Sequence, residues 1–534
     1  MKKNLFIYIT AFFCGMAVMA VELSASRLLA PYFGTSSIIW TVIIGLIMIS
    51  LSIGNVLGGR SADKHNSIGR LFSLVWIAAI WIAIIPLVGK YIVSFSVIIM
   101  MWLLPNNLLV AGSIFSCLVV FSLPLVILGM APPYLVKLGV SNMENNGRTT
   151  GELYATSTIG SIIGTFIPTF LTIPYIGTQK TFLVFSLVLD LICLYYFITT
   201  KTKYLKVIFS TIIILTLLLI PLNNSYAFWK KTVLEDESLY NYLQVVEEED
   251  SIILSTNVAF GVQSIYKKDH TLSGLYYDYA LMAPFFIQNT NTDTDFKVLV
   301  LGMGTGTFAK QCKHFFPNSS IDGVEIDQKI VDLSKKYFEL KDDEATVYVN
   351  DGRTFLAGND AGMYDLVMVD AYHDITIPFH MSTMEFYSEI KKHLNPDGVI
   401  MININMMSTS NTEITDYLTQ TLKSDMKKVY KYDVFGGSNL IVYSSDNENC
   451  LLSYKDNIKK LSEDNPIFPI SVEVSENLQE VKDTKYVLTD DLAPIEVLGQ
   501  KVLDEIVAEN LDYFKEQLRS SKNGIWDIFK LISN

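Results

Sequence analysis

The first 222 residues alternate long apolar runs with short polar loops. Apolar runs of about 20 residues are long enough to cross a bilayer as helices. A shorter apolar run at residues 91–104 is followed by Pro105, and we predict that it is interfacial or re-entrant. Residues 1–222 are therefore predicted to form a multi-pass α-helical membrane domain of about seven helices. The seven runs lie near residues 5–30, 38–57, 71–88, 108–136, 153–176, 181–198 and 207–222.

The hydrophobic pattern changes after residue 222. Residues 223–275 hold short runs in which apolar and polar residues alternate, which is typical of antiparallel strands. We therefore predict a small β domain at residues 223–280. From there to about residue 443, strand-like runs alternate with helix-like segments, which favours a mostly parallel, doubly wound sheet. We assign residues 281–534 to this α/β domain.

The charges divide the chain at the same place. Residues 1–222 carry 13 Lys and Arg against 5 Asp and Glu, whereas the remainder carries 28 against 49. The net charge of −13 is therefore the sum of a basic amino-terminal part and an acidic carboxy-terminal part. An acidic domain repels phosphate backbones, and we expect no nucleic-acid partner. Its surface suits solubility, or the attraction of cationic substrates such as polyamines. The scattered cysteines and histidines show no ligand spacing, and we assign no metal.

Four apolar runs in the second domain each end in glycine or in acids: VLVLGMGTGTF, IDGVEID, VYVNDGRTF and YDLVMVDAYHD. Parallel sheets bind their ligands at the edge where the carboxyl ends of the strands meet. The glycines after the first run permit a tight turn and a close approach between backbone and ligand. The residues at these ends are Gly302, Gly304, Thr305, Gly306, Glu325, Asp351, Gly352 and Asp370.

The spacing of these strand ends predicts the kind of ligand. Glu325 follows Gly302 by 23 residues, where a carboxylate can accept hydrogen bonds from two ribose hydroxyls. Asp351 and Gly352 suit a contact with an adenine amine. A second dinucleotide half and a lysine for phosphates are both missing, which favours an S-adenosylmethionine-type cofactor over NAD or ATP. The predicted fold is a multi-pass α-helical membrane domain plus a Rossmann-like, methyltransferase-type α/β domain with a small antiparallel β-sheet before it.

Basic residues in the predicted loops fall on alternate sides of the membrane. By the positive-inside rule, the N-terminus is cytoplasmic. Seven crossings then leave the acidic domain outside the cell, whereas a cofactor of this kind is made in the cytosol. We expect a multi-pass protein of the cell membrane, with the lipid bilayer as a partner, and both interpretations of the side stay open at this point.

Five segments within residues 235–496 follow one another along the chain: ESLYNYLQVVE, VQSIY, YYDYALMAP, VMVDAYHDITIPFHMST and VLTDDLAPIEVL. In this order they resemble segments of the spermidine synthase, or polyamine aminopropyltransferase, family. In addition, the segment Met16–Lys64 resembles the N-terminal membrane part of fused major-facilitator/spermidine synthase proteins.

The resemblance implies roles for individual residues. It places Tyr276 and Asp278 on a tyrosine and a glutamate of the family, and Asp370 on the catalytic aspartate. Asp370 would take the proton of an amine substrate, which Asp374 and Tyr276 would position. Asp278 is expected to support substrate binding, and Gln263 is expected to support cofactor binding.

Two positions depart from the family pattern. Thr305 stands in the GMGTGT loop where the family has an aspartate, which is expected to bind the ammonium tail of decarboxylated S-adenosylmethionine. Met282 stands on a family histidine. Both changes are compatible with intact S-adenosylmethionine and methyl transfer. Aminopropyl, methyl and related alkyl transfer therefore stay open.

We expect a membrane-bound transferase that moves an alkyl group from an S-adenosyl sulfonium donor to an amine, such as a polyamine or a lipid-borne amine. The alternative is a membrane transporter or exporter of polyamine-like cations whose transferase-like domain senses the cargo, modifies it or is inactive. Glu22, Arg27 and Asp190 lie within the predicted spans, where ionisable groups are costly. A polar cavity shared by these three residues would favour transport. Whether the protein forms a homodimer is left open.

Overall fold

The amino-terminal part of the protein is a bundle of apolar helices. The computed structural model describes residues 2–65, 67–104, 107–140, 146–220, 232–257, 262–269, 272–358, 360–371, 377–406, 411–434, 439–482, 485–502 and 505. Within these ranges, five helical elements are long and apolar enough to cross a membrane. The helices of the bundle are α1 (Lys2–Phe33), α2 (Ser37–Lys64), α3 (Ile68–Leu103), α4 (Leu108–Gly129), α5 (Ala131–Gly139), α6 (Asn146–Ile167), α7 (Ile173–Thr199) and α8 (Tyr204–Leu219).

One feature of the bundle differs from the hydropathy prediction. Residues 91–103 continue α3 as one helix, so the re-entrant alternative predicted for them is wrong, whereas the interfacial alternative stays a prediction. Lys90 interrupts the apolar run, yet a lysine inside a helix can extend its ammonium group toward the membrane surface. The runs predicted at 153–176 and 181–198 are separated at Gly177, whose φ of +80° and ψ of 164° are not helical. A π-helical turn at Pro168–Thr172 lies within the first of these runs.

Small residues bring α1 and α6 into close contact. A Cβ on Gly160 would lie 1.9 Å from the carbonyl oxygen of Phe12, and one on Gly164 would lie 2.2 Å from that of Met16. Helices in lipid associate through such close backbone packing, because there is no hydrophobic gain to be had between them. The G-x-x-x-G pair therefore serves helix packing.

A four-stranded antiparallel sheet, in the order β1-β2-β3-β4, connects the bundle to the α/β domain. Successive residues of a strand face opposite sides of its sheet, and alternate residues face the same side. Tyr242 accordingly packs within the apolar cluster of the helical bundle, whereas Leu243 and Val245 pack against Ile330 and Leu333 of the α/β domain. The strands are β1 (Leu234–Glu237), β2 (Tyr242–Glu247), β3 (Ser251–Thr256) and β4 (Ser264–Lys267).

The α/β domain is built on an eight-stranded sheet with the order β12-β10-β11-β9-β8-β5-β6-β7. The five strands from β9 to β7 in that order pair in parallel, and β11 runs antiparallel to both of its neighbours. The strands are β5 (Lys297–Leu301), β6 (Ser320–Glu325), β7 (Thr346–Val349), β8 (Tyr364–Val369), β9 (Leu394–Ile404), β10 (Lys428–Asp433), β11 (Leu440–Ser445) and β12 (Gln479–Glu480).

Apolar clusters cover both faces of this sheet. Val298 and Val300 of β5 belong to one cluster, whereas Leu299 and Leu301 belong to the other. A parallel strand buried on both faces must be apolar at every position, which explains the unbroken run KVLVL. The helices of the domain are α9 (Tyr276–Ala280), α10 (Thr307–Phe315), α11 (Gln328–Lys336), α12 (Gly352–Ala357), α13 (Met384–Lys392), α14 (Glu413–Asp425), α15 (Cys450–Ile458) and α16 (Phe468–Asn477).

The order of the strands creates a crevice beside β5. The chain passes outward from β5 to β6 and β7 and then returns to β8 on the other side of β5. Loops after β5 and β8 therefore leave the sheet in opposite directions, which is where doubly wound sheets bind ligands. The predicted fold class, a helical membrane-type domain with a Rossmann-like α/β domain and a small antiparallel sheet, is confirmed. The exact domain boundaries at residues 222 and 280 stay a prediction.

We expect Gly160→Ala and Gly164→Ala each to destabilise the helical bundle by about 1–3 kcal/mol, because the added methyl group would force α1 and α6 apart. The measurement is thermal unfolding of the full-length protein in detergent. Gly45→Ala is the matched control, since a Cβ there meets nothing within 4 Å. Equal stability of the three variants would contradict the packing role.

Candidate active site

The glycine loop after β5 lies against the end of β8. Gly302 has a φ of +85° and Gly304 a φ of +58°, which side chains disfavour. A Cβ on Gly302 would lie 2.6 Å from the carbonyl oxygen of Asp370 and 2.6 Å from the Cα of Ala371. A Cβ on Gly304 would lie 2.5 Å from the Oγ of Ser264. Glycine at these two positions therefore lets the loop approach the carboxyl end of β8 closely.

Glu325 holds the same loop from the end of β6. Its Oε2 accepts a hydrogen bond from the backbone N–H of Gly304 at 2.9 Å, and its Oε1 accepts one from that of Asp327 at 3.1 Å. The side chain is 7% exposed. Burial raises the pKa of Glu325 to about 7, although the two backbone donors act in the opposite direction. The expected ribose-binding acid thus lies directly beside the glycine turn.

Asp370 follows the last residue of β8 and is buried. Its Oδ2 accepts a hydrogen bond from the Tyr276 hydroxyl at 2.7 Å, and its Oδ1 accepts one from the Asn403 amide at 2.8 Å. Burial raises the pKa of Asp370 to about 7, while these two donors favour the ionised form. The amide of Asn439 in turn donates to the Oδ1 of Asn403 at 2.9 Å. The carboxylate is therefore held in one orientation and has a pKa suited to proton transfer near neutral pH.

Two adjacent tyrosines position Asp370 from α9. The rings of Tyr276 and Tyr277 have centroids 4.0 Å apart. Burial raises the pKa of both hydroxyls, so both remain protonated donors at neutral pH. The Tyr277 hydroxyl donates to the backbone carbonyl of Gln263 at 2.7 Å, whereas the Gln263 amide oxygen accepts from Thr256 at 3.4 Å. Gln263 therefore contributes its backbone to the tyrosine pair.

Thr305 is a buried residue in the middle of the glycine loop. Its backbone N–H donates to the Oγ of Ser264 at 3.1 Å. Its own hydroxyl has no hydrogen-bond partner among the described residues. A buried polar atom without a partner costs about 1–3 kcal/mol, so such an atom fits a position that a ligand completes. Gly306, which follows with a φ of +88°, begins α10.

Asp351 ends the β7 loop as the N-cap of α12. Its Oδ1 accepts hydrogen bonds from the N–H of Thr354 at 2.8 Å and from its hydroxyl at 2.9 Å. His380 lies 3.1 Å from Oδ2 and lowers the pKa of Asp351 to about 2. A Cβ on Gly352 would lie 2.8 Å from the Cε of Met381. The carboxylate of Asp351 is thus bonded to protein groups, and the expected contact of this loop with an adenine amine stays a prediction.

Asp278 is buried and makes four hydrogen bonds. Its Oδ1 accepts from the N–H and hydroxyl of Ser273 and from the Gln311 amide, and its Oδ2 accepts from the N–H of Gly274 at 2.7 Å. These bonds fix the turn that leads into α9. The structure thus shows Asp278 organising the segment that presents Tyr276.

Asp374 lies outside the described residues, so its role stays a prediction. Met282 is fully buried in the apolar cluster on one face of the sheet, where it packs as a core side chain. Asn403 was not predicted from the sequence, because it occupies an apolar strand, IMINI, far along the chain from Asp370.

The fold and these side chains indicate the kind of ligand that the protein binds. A doubly wound sheet with a glycine turn after its first strand and buried acids at the ends of later strands is the architecture of nucleoside-binding proteins. The buried, unpartnered hydroxyl of Thr305 and the close glycine turn fit an S-adenosyl-type ligand.

Comparisons with known proteins identify the family. The family described as "Spermine/spermidine synthase domain" matches residues 287–436. A "Probable polyamine aminopropyl transferase" of Bifidobacterium longum is 38% identical over 349 residues, which cover 62% of this chain and 76% of the relative. A "Polyamine aminopropyltransferase" of Vibrio vulnificus is 26% identical over 233 residues, covering 42% and 75% of the two chains. The crystal structure of a probable spermidine synthase from Corynebacterium glutamicum aligns with a TM-score of 0.37 and 19% identity, covering 48% of this chain and 96% of that one.

The chain belongs to the spermidine synthase, or polyamine aminopropyltransferase, family, as its motifs predicted. It is a transferase of the S-adenosyl type, fused to an amino-terminal domain of apolar helices.

We expect kcat/KM of the transferase reaction to rise with pH up to about 7, because the base must be ionised and burial raises the pKa of Asp370 to about 7. In Tyr276→Phe the carboxylate loses a donor that favours its ionised form, so the rising limb should move to higher pH. The pH profile of kcat/KM measures this shift.

Tyr277→Phe is the matched control for that shift, because its hydroxyl donates to a backbone carbonyl instead of to Asp370. Its rising limb should stay where it is in the unmodified protein. A limb that moves to lower pH in Tyr276→Phe, or that moves equally in both variants, would contradict the assignment of Asp370 as the base.

Proposed function

We propose that this protein transfers an aminopropyl group from decarboxylated S-adenosylmethionine to a primary amine of the polyamine class. Membership of the family supports the reaction type. The observation that carries the proposal is the buried carboxylate of Asp370, held by Tyr276 and Asn403 beside the glycine loop.

In this proposal, the donor lies along the loop between Gly302 and Gly306. Glu325 accepts hydrogen bonds from the ribose hydroxyls, and the backbone around Asp351 and Gly352 contacts the nucleobase. Burial of Glu325 strengthens its hydrogen bonds with the ligand, because water competes little there. When bound, the donor supplies an electrophilic carbon that is attached to a sulfonium.

Asp370 acts on the amine acceptor. The nitrogen lone pair forms the new C–N bond, the C–S bond breaks, and the sulfur keeps the bonding pair as a neutral thioether. The proton that the nitrogen loses passes to the Asp370 carboxylate, whose orientation Tyr276 and Asn403 maintain. Asp374 would help to bind the ammonium form of the acceptor. Such a positioned base typically contributes about 10²–10⁴-fold to a rate.

Asp278 and Gln263 have indirect roles in this mechanism. Asp278 orders the turn before α9, which presents the Tyr276 hydroxyl to Asp370, so Asp278 is a positioning residue. The Gln263 carbonyl accepts a hydrogen bond from Tyr277, whose ring is tilted against that of Tyr276. We place neither Asp278 nor Gln263 in contact with the reacting atoms.

A second candidate function is methyl transfer from intact S-adenosylmethionine to the amine. The observation that favours it is Thr305, a neutral residue whose buried hydroxyl has no partner among the described residues. A neutral residue there would not repel the carboxylate of the intact donor, whereas an aspartate would. The two donors are distinguished by the product that each gives.

The transport alternative has less support than the transferase. Arg27 donates a hydrogen bond to the carbonyl of Leu239 at the junction with the small sheet. Asp190 instead accepts hydrogen bonds from Ser210 and Thr211 of α8, inside the bundle. Arg27 and Asp190 are thus hydrogen-bonded to separate structural elements. These contacts give no support to a polar cavity shared by the two residues, which is what the transport alternative predicts.

We expect Asp370→Asn to lower kcat by about 10²–10⁴-fold, because it removes the base but keeps the hydrogen-bond geometry. Donor binding, measured by calorimetry with intact and with decarboxylated S-adenosylmethionine, should persist. Asp351→Asn is the comparison, since its carboxylate is occupied by Thr354 and His380 and its turnover should fall much less.

Mass spectrometry of the acceptor identifies the group that is transferred. An aminopropylated product formed only with the decarboxylated donor supports the main proposal. A methylated product formed only with the intact donor supports the second candidate instead, and full turnover by Asp370→Asn would reject the proposed mechanism.

We further infer that the transferase domain lies outside the cytoplasm. It contacts the bundle at Arg27, Ser37 and Thr178, near the end of α1, the start of α2 and the start of the regular part of α7. The opposite end of the bundle is joined by a Lys137–Asp63 ion pair at 3.1 Å. Of the 13 Lys and Arg in residues 1–222, ten lie toward that opposite end, which the positive-inside rule places in the cytoplasm. These ten are Lys2, Lys3, Arg60, Lys64, Arg70, Lys137, Arg148, Lys201, Lys203 and Lys206.

Introduced cysteines test this orientation without removal of the native ones, because all five native cysteines are buried. In intact cells, we expect a membrane-impermeant maleimide to label Glu463→Cys, an exposed position of the transferase domain. Thr202→Cys, an exposed position at the opposite end of the bundle, should react only after permeabilisation. The reverse pattern would place the transferase in the cytoplasm and reject the inference.

A further inference from the structure

A short segment lies between the helical bundle and the candidate donor site. This segment, Asp236–Leu239, comprises the end of β1 and the turn that follows; we call it the junction segment. It contacts α7 on one side and the loop after β6 on the other. Its side chains and backbone carbonyls form hydrogen bonds with both the helical bundle and the α/β domain.

The junction segment contacts the bundle through the buried carboxylate of Glu237, which lies against α7. Glu237 is 4% exposed, and Thr178 is completely buried. The carboxylate of Glu237 accepts hydrogen bonds from the backbone N–H of Thr178 and, at 2.6 Å, from its hydroxyl. The N–H is available because Gly177, with a φ of +80°, breaks the helical path just before Thr178.

The contact with the α/β domain is made by the next residue. The hydroxyl of Ser238 donates to the Oδ2 of Asp327 at 2.5 Å, and the amide of Asn241 donates to the same oxygen at 3.0 Å. The ammonium of Lys329 in α11 lies 2.5 Å from the carbonyl oxygen of Glu237 and 2.9 Å from the carboxylate of Asp236. The junction segment is therefore bonded on both sides through buried or half-buried polar groups.

The series of hydrogen bonds continues to the donor site. The backbone N–H of Asp327 donates to the Oε1 of Glu325 at 3.1 Å, and the N–H of Gly304 donates to Oε2 at 2.9 Å. Asp327 also caps α11 through the N–H of Lys329 at 3.0 Å. A displacement of Asp327 would thus move the acid that is expected to bind the ribose.

We propose that the helical bundle is a positioning element for donor binding, with Thr178 and Glu237 as the positioning residues. The proposal rests on the proposed function, in that the donor binds beside Glu325. It assigns the membrane helices a direct part in the transferase reaction, through the junction segment, in addition to anchoring the domain. Loss of the Thr178 hydroxyl removes one hydrogen-bond donor from the buried carboxylate of Glu237, and we expect the junction segment to shift in response.

The expected effect is specific to the donor. Thr178→Val removes the hydroxyl donor at almost constant volume, and Glu237→Gln places an amide group against the donors of Thr178. Both should raise the KM for the donor at least about fivefold, the lower end of typical coupling between sites. The kcat should remain within about twofold, because neither residue contacts Asp370 or Tyr276.

The experiment uses the full-length protein in lipid nanodiscs, with the KM for donor and acceptor, kcat and the thermal midpoint measured for each variant. Thr178→Ser retains the hydroxyl and should restore the donor KM. Asp250→Asn is the matched control, since it removes a carboxylate of the same small sheet that pairs with Lys267 at the surface.

The outcomes separate this inference from the proposed function. A raised donor KM in Thr178→Val, with rescue by Thr178→Ser, supports the positioning role. An unchanged donor KM with a lowered thermal midpoint would show that the contact only stabilises the fold, and would overturn the inference while leaving the proposed function intact. Failure of the unmodified protein to bind either S-adenosyl donor would reject the proposed function itself.

Discussion

The site depends on the burial of two carboxylates at the ends of β6 and β8, the two parallel strands that flank β5. A buried carboxylate is strongly destabilising unless donors surround it. Glu325 obtains its donors from the backbone at Gly304 and Asp327, and Asp370 obtains them from Tyr276 and Asn403. Each acid therefore fixes the elements that supply its donors. The glycine loop, α9 and β9 take their places around these two groups, and the same burial raises the pKa of both acids to about 7.

The small antiparallel sheet packs against both the helical bundle and the α/β domain and so joins them. One face of β2 packs into the helical bundle through Tyr242, and the other packs against the α/β domain through Leu243 and Val245. Polar contacts follow the same route, from Thr178 through the junction segment to Asp327. A tether alone would need only a linker. The observed arrangement instead places α7, a helix of the apolar bundle, within a few hydrogen bonds of the candidate donor site.

The parts of the site that sequence predicted are those in which local chemistry is sufficient. The apolar run before the glycine turn was predicted to be a strand and forms β5, because an apolar run that breaks into glycine has few other structures. Asn403 could not be predicted, because an asparagine within an apolar strand acquires meaning only from the group it faces. The helical continuation at residues 91–103 was also missed, since hydropathy alone does not show whether a helix persists past a lysine.

Residue types and their spacing were sufficient to predict the two-part organisation, the order of strand ends that carry glycine and acids, and the family to which the chain belongs. These three features are encoded locally along the chain. The donors that hold each acid, the turn that Asp278 orders and the contact of Glu237 with the helical bundle became visible only in the folded protein. Those contacts join residues far apart in the chain, and the orientation of a buried polar side chain is set by the partners that folding brings to it.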